Sequence, residues 1–263
     1  MKNLLITLMF ALLIIGSVEA VAPTIPIVYP VSAITLNGGT VSEIVVDFNV
    51  TDGDGWGDIL ISTIDLTLTR GGEEIRHQKN SSCGMLEFDT NHIKVRCSVE
   101  MQFYDGEGAW NISVSINDTT GSKATNDSTG TTVNALDYVT QDFTYVDWGS
   151  LTTNTNDNEA DNTITLTNGG NQDYPTSNLK AYDLIGDVSN ETINANLLSI
   201  DNVGSATSGQ IYLQNATNIE ISTKINLNGH NSTATSQMFF YVDVPSLSLD
   251  TYRQLNLWEI SVS

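Results

Sequence analysis

Residues 93–101 read IKVRCSVEM, and residues 110–116 read WNISVSI. In the first run Ile93, Val95, Cys97, Val99 and Met101 alternate with Lys94, Arg96, Ser98 and Glu100. In the second, Trp110, Ile112, Val114 and Ile116 alternate with Asn111, Ser113 and Ser115. A period of two places every other side chain on one face of an extended strand, so each run predicts a strand with one apolar and one wet face. Working outward, Ile44, Val46, Phe48 and Val50 repeat the pattern, and so do Ile64, Leu66 and Leu68. Weaker strands near 25–36, 73–79 and 129–136 bring the first half to about seven, the number an immunoglobulin-like sandwich requires. Gly71-Gly72, Asp105-Gly-Glu-Gly and Thr120-Gly121 supply turns between them. The prolines at 23, 26 and 30 suit an edge strand, because proline cannot donate to a central ladder.

The second half alternates less cleanly. Candidate strands are 143–148, 162–168, 178–184, 210–214, 219–226, 236–244 and 254–262, punctuated by polar stretches such as Thr152–Asp161. The prediction is an all-β chain: a signal peptide over 1–20, an immunoglobulin-like β-sandwich over 21–136, and a second β-sandwich in tandem over 137–263. One long sandwich is the alternative, but two domains fit the length better.

The compartment is read from the start of the chain. Lys2 precedes an apolar run from Leu4 to Ile15, then Gly16-Ser17 and the small-residue pattern Val18-Glu19-Ala20. That order predicts a cleaved secretory signal, with the mature chain beginning at Val21. The run is too short for a transmembrane helix, which needs about 20 residues. No second such run follows, so the mature chain is expected to be secreted or held at the cell surface by partners.

Charge narrows the partners. The chain carries 31 Asp+Glu against 10 Lys+Arg, a net of −21. Both halves are acidic, so a polyanion is repelled from either and nucleic acid is excluded. The two cysteines, Cys83 and Cys97, form an even, closely spaced pair in an oxidising compartment and predict a disulfide.

Eight N-x-S/T sequons make glycosylation candidates of Asn49, Asn80, Asn111, Asn117, Asn126, Asn190, Asn215 and Asn231. Chance alone supplies roughly five or six in a chain this rich in Asn, Ser and Thr. Asn49, Asn111 and Asn117 fall on polar strand faces, where a glycan leaves a core undisturbed.

Asp52-Gly-Asp-Gly-Trp-Gly-Asp58 offers carboxylates at Asp52, Asp54 and Asp58 around flexible glycines. Calcium takes six to eight oxygens with several carboxylates converging, and Asp118, in the turn expected at the same pole, can join them. The EF-hand pattern fails at Trp56 and Thr63. The competing reading is an Asp/Gly turn, favoured for backbone reasons alone. Trp56 and Trp148 lie in or beside loops, where they either stack on sugar rings or cap a core. Trp110 and Trp258 belong to inward-facing sets. His77, His92 and His230 lie in polar surroundings without a nucleophile or metalloprotease motif, so no catalytic residue is expected.

FNVTDGDGWGDI at 48–59 together with GEGAWNISVSINDTTG at 106–121 resembles PKD- and cadherin-like members of the immunoglobulin superfamily. Trp110 takes the aromatic position of their strand, and Asp118 with Gly121 its hairpin. LTNGGN at 166–171 and FFYVDVP with DTYRQLNLWEISV over 239–262 are similar to the β-sandwich modules of archaeal cell-surface proteins. Asp250 stands there where those modules carry glycine. The resemblance implies a non-catalytic structural or adhesive surface protein (a layer, filament or adhesion component) whose partners are other surface proteins, itself or glycans. A carbohydrate- or ligand-binding module is the alternative.

Overall fold

The computed structural model describes residues 21–78, 82–205, 209–228, 234–254 and 258–263. The signal-peptide segment, Asn80, Asn231 and His230 lie outside the described residues. The chain is all β, and its strands divide between two compact units. One holds Glu43–Glu100, Trp110–Thr131 and the described part of Met1–Ser32; the other holds Ala33–Ser42, Met101–Ala109 and Thr132–Ser263. Among the described residues no helix is long and apolar enough to cross a membrane.

The strands of the first unit are β1 (Thr24–Val28), β2 (Ser42–Thr51), β3 (Ile59–Thr69), β4 (Arg76–His77), β5 (Gly84–Phe88), β6 (His92–Met101), β7 (Gly108–Asp118) and β8 (Lys123–Val133). They form two four-stranded sheets, in the orders β1-β2-β6-β5 and β4-β3-β7-β8. The alternation in the sequence becomes the inner faces. Val46, Phe48 and Val50 of β2, Leu66 and Leu68 of β3, Ile93, Val95, Cys97 and Val99 of β6, and Trp110, Ile112, Val114 and Ile116 of β7 are fully buried. Full burial of one such aliphatic side chain stabilises by about 1.5–3 kcal/mol. On the outer face of the first sheet, the Arg96 guanidinium donates two parallel bonds to Asp47, at 2.7 and 2.9 Å. That contact holds the Asp47 carboxyl below the usual carboxylate range.

The Cys83–Cys97 disulfide joins the residue before β5 to the middle of β6, with Cα atoms 4.0 Å apart. Strand β1 pairs antiparallel with β2 and buries Ile25 and Val28. The apolar N-terminal segment is thus used within its own sheet.

The second unit is built around β18 (Ala234–Val244). One sheet runs β16-β15-β18-β11-β9, with β10 also on β18; the members are β9 (Val139–Gln141), β10 (Thr155–Glu159), β11 (Ile164–Asn168), β15 (Leu198–Asp201) and β16 (Ile211–Tyr212). Two smaller sheets follow the orders β17-β12-β20 and β14-β13-β19. These comprise β12 (Ser177–Lys180), β13 (Leu184–Gly186), β14 (Thr192–Ile193), β17 (Asn218–Glu220), β19 (Tyr252–Gln254) and β20 (Glu259–Val262). Leu166, Leu179, Leu198, Ile200, Ile221, Leu227 and Phe240 lie at the centre of its core. Asn171, itself buried, ties backbone together by donating to the Asp105 and Asn134 carbonyls, both at 3.0 Å, and accepting from Leu136 N at 2.7 Å.

Several strands of this unit differ from the sequence expectation. Residues 143–148 are not a strand; Phe143 and Tyr145 are exposed and pack edge to face on each other, while Val146 and Trp148 reach the core from a loop. The stretch 219–226 is a short strand followed by a turn in which Ile225 N bonds to Ile221 O at 2.8 Å. Ile221 and Ile225, four apart, are both buried by that turn rather than by a strand face. Asp250, the departure from the resembled pattern, accepts from Val188 N, Ser189 N and Ser189 Oγ at 2.7–2.9 Å. Those bonds pull its carboxyl down to about 2, so it stays ionised and holds the 188–189 turn.

Candidate functional site

Three connections of the first unit meet at one pole: 52–58 between β2 and β3, 89–91 between β5 and β6, and 119–122 between β7 and β8. The first leaves β2 at Asp52, whose Oδ1 accepts the Asp54 N–H at 2.9 Å in a turn closed by Gly55 N on Asp52 O at 3.3 Å. Gly55 sits at φ +113, a backbone conformation that favours glycine. A single 3₁₀ turn, Trp56–Asp58, then delivers the chain to β3. The loop is anchored to the β5–β6 connection by Asp52 N on Asn91 O at 2.9 Å and Trp56 N on Thr90 O at 3.2 Å.

Asp118 ends β7 and opposes Ile59 in the ladder, which places it beside Asp58. Its Oδ1 accepts Thr120 N at 2.9 Å, Thr120 Oγ1 at 2.7 Å and Ser122 N at 2.8 Å, an Asx-type turn. Thr119 bonds Asp58 twice, through N to the carbonyl at 2.9 Å and through Oγ1 to Oδ1. One carboxylate oxygen from each of Asp52, Asp58 and Asp118 lies within 4.8 Å of the other two. Asp52 and Asp118 are 2% and 0% exposed, and the Oδ2 of each is buried without a hydrogen-bond partner. Asp58 is half-buried.

The electrostatics follow from this convergence. Desolvation, then the charges of Asp52, Asp118 and Asp54, push the Asp58 carboxyl above its ordinary value. Desolvation pushes Asp118 up too, but the bonds from Thr120, Ser122 and Gly121 outweigh it and leave its carboxyl below the ordinary value. Asp118 is therefore a buried carboxylate kept charged by its own turn. Asp54, the fourth expected ligand, is exposed and stands outside the triad; its Oδ2 accepts the Val21 N–H at 2.7 Å.

Next to this pole lies a surface that the sequence did not announce. Among the described residues strand β5 pairs only with β6 in the sheet, and all five of its own residues are exposed. Met85, Leu86 and Phe88 are 36%, 45% and 59% exposed, and Trp56, 37% exposed, packs on Phe88 with ring centroids 4.8 Å apart. Trp148 instead joins the core of the second unit, 6.5 Å from Trp258, so the two loop tryptophans have different environments. The Trp148 and Trp258 indole N–H groups are buried without an acceptor, and both residues line a cavity of about 570 Å³ walled by core side chains such as Phe240 and Leu184 and by polar residues such as Gln141, Asp250 and Arg253.

The sequons fall into two groups. Asn111 and Asn190 are exposed and Asn117 is half-exposed, whereas Asn49, Asn126 and Asn215 engage their side-chain amides with Tyr29 OH, Ile25 O and Asp183 Oδ2. His77 and His92 stand 3.6 Å from Asp65 and Asp89.

No protein-family model and no curated protein matches the chain. Among solved structures, a chain of a chaperone–tip adhesin complex of CFA/I fimbriae aligns over 89% of this chain and 96% of its own, at 12% identity and TM-score 0.38. The secreted serine protease VesC from Vibrio cholerae aligns over 93% of this chain, which spans 51% of that protein, at 11% identity and TM-score 0.24. Bovine butyrophilin aligns over 92% of this chain and 96% of its own, at 9% identity and TM-score 0.19.

Proposed function

We propose that this is a non-catalytic extracellular protein, structural or adhesive at a cell surface, that associates through the open edge strand β5. The observation that carries the reading is the strand itself. An edge strand presents unpaired N–H and C=O groups, and folded proteins ordinarily blunt such edges with charge, proline, a bulge or a cover. The β5 edge has one charged residue, Glu87, but its other side chains include Met85, Leu86 and Phe88, all exposed, with Trp56 extending the apolar surface. A bulge between Met85 and Glu87 breaks the register, limiting the continuous edge to a short contact rather than an endless one. The PKD/cadherin-like and archaeal surface-module resemblance of the sequence supports the same class. The disulfide is compatible with an oxidising, extracellular location. The non-catalytic part rests on the motif content of the sequence.

The occupant is a second copy of this chain. Two β5 strands running antiparallel about a two-fold axis satisfy each other's open backbone groups and bury both apolar patches. The net charge of −21 opposes this approach, so association strengthens as salt screens it. Light scattering on the purified chain, beside a Met85→Lys/Leu86→Lys double variant, tests the reading. The expected result is a mass that rises with concentration and salt in the parent and stays monomeric in the variant, with equal melting temperatures because both positions are exposed. A parent that stays monomeric throughout, or a variant that associates equally well, overturns it.

A further inference from the structure

We propose that Asp52, Asp58 and Asp118 bind one calcium ion, and that the ion fixes Trp56 against Phe88 at the β5 edge; the second half of this inference rests on reading β5 as the docking edge. Each buried carboxylate divides its oxygens between two tasks. Oδ1 of Asp52 and of Asp118 holds its own turn, while Oδ2 of each is buried with no donor. An unpartnered buried carboxylate oxygen is costly, because water has been removed and nothing replaces it. Both Oδ2 atoms belong to carboxylates that converge with a third, one oxygen of each of Asp52, Asp58 and Asp118 lying within 4.8 Å of the other two, so mutual repulsion adds to the cost. Among the described residues no Lys, Arg or His side chain pairs with any of the three. A cation removes both penalties at once.

The donor set selects the cation. Three carboxylates without nitrogen or sulfur ligands exclude a zinc-type site and suit a hard ion. The ligands come from the two ends of one loop and from one strand end, joined by turns rather than a rigid cage, which suits calcium's variable coordination better than magnesium's strict octahedron. Waters complete the shell. A site with three protein carboxylates and open positions falls in the range of extracellular modules, about 10⁻⁴–10⁻³ M.

The coupling to the edge is built into the loop. Asp52 and Asp58 bracket Trp56, so an ion holding both fixes the loop at its two ends. The same loop is bonded to Asn91 and Thr90 of the β5–β6 connection, and its indole packs on Phe88 of β5. Asp54 stays outside the shell, engaged with Val21 N.

Isothermal titration of the chelator-stripped chain with calcium chloride is the test, with melting temperature and the fluorescence emission of the chain followed in parallel. The expected result is one ion per chain, a melting temperature raised by several degrees at saturation, and a change in emission that Trp56→Phe abolishes. Asp118→Asn and Asp52→Asn each weaken binding by about tenfold or more, and Asp54→Asn leaves it within about threefold. If the buried variants fail to fold, Asp58→Asn, at a half-exposed position, carries the same expectation. Absence of binding at 10 mM calcium (about ten times the weak end of that range), or triad variants that bind like the parent, overturns the site. The Met85→Lys/Leu86→Lys variant, which leaves the Trp56–Phe88 contact in place, separates the two readings. It is expected to bind calcium like the parent while losing self-association. Calcium binding with no self-association in the parent removes the edge reading alone, and self-association without calcium binding removes the ion alone.

Discussion

Trp110→Ala will cost the first unit about 3–5 kcal/mol, the largest loss expected of any single truncation in it. Trp110 is the largest fully buried side chain and sits on β7, between β3 and β8 in its sheet. The loss has two parts, the transfer free energy of the indole and the cavity left where β-sheet neighbours cannot collapse. The backbone around it is already close: a Cβ on Gly130 of β8 would stand 2.8 Å from the Trp110 carbonyl, so β8 has no slack with which to close in. Domains are stable by only about 5–15 kcal/mol, so this one substitution consumes a large share of the total. Urea unfolding followed by far-ultraviolet circular dichroism measures it. A change below about 1 kcal/mol would mean that the two sheets do not meet over Trp110.

Replacing both cysteines, Cys83→Ser with Cys97→Ser, is expected to destabilise the same unit by about 3 kcal/mol in the chain-entropy model. The bridge closes a separation of 14 residues and ties down the start of β5, a strand whose residues are all exposed. Strand β5 contributes no buried residue, so its adherence to β6 depends on ladder hydrogen bonds and on the covalent tie at Cys83. The denaturation midpoint should fall accordingly, and β5 amides should lose protection before those of β6. An unchanged midpoint would show that β5 is held by something other than the bridge.

What was legible in the sequence, and what was not, divides along burial. In the first unit every strand with a clean period of two, such as 93–101 and 110–116, was legible because one face is buried and the other wet. The Asp52–Asp58 loop was legible as well, since carboxylates spaced by glycines announce a turn whatever else they do. Strand β5 was missed for the opposite reason: GMLEF buries nothing, so no alternation marks it. The same holds for β10, TNDNE, which reads as a polar loop and is a strand because β18 pairs with it. Strand β15, LSID, is buried at all four positions, and a run buried on both faces has no period to detect. The Asp52, Asp58 and Asp118 cluster was visible as residue types, but the two orphaned Oδ2 atoms on which the calcium proposal rests are left over from turn hydrogen bonds that sequence does not display.

The central claim, that β5 is an edge kept open for a second copy, is tested most directly by amide hydrogen exchange of the calcium-saturated chain in dilute and concentrated solution. Pairing predicts that the outward-facing amides of β5 are unprotected when dilute and become protected as concentration rises, while amides of the buried strand β7 do not change. Amides of β5 that exchange at the same rate at every concentration would contradict it.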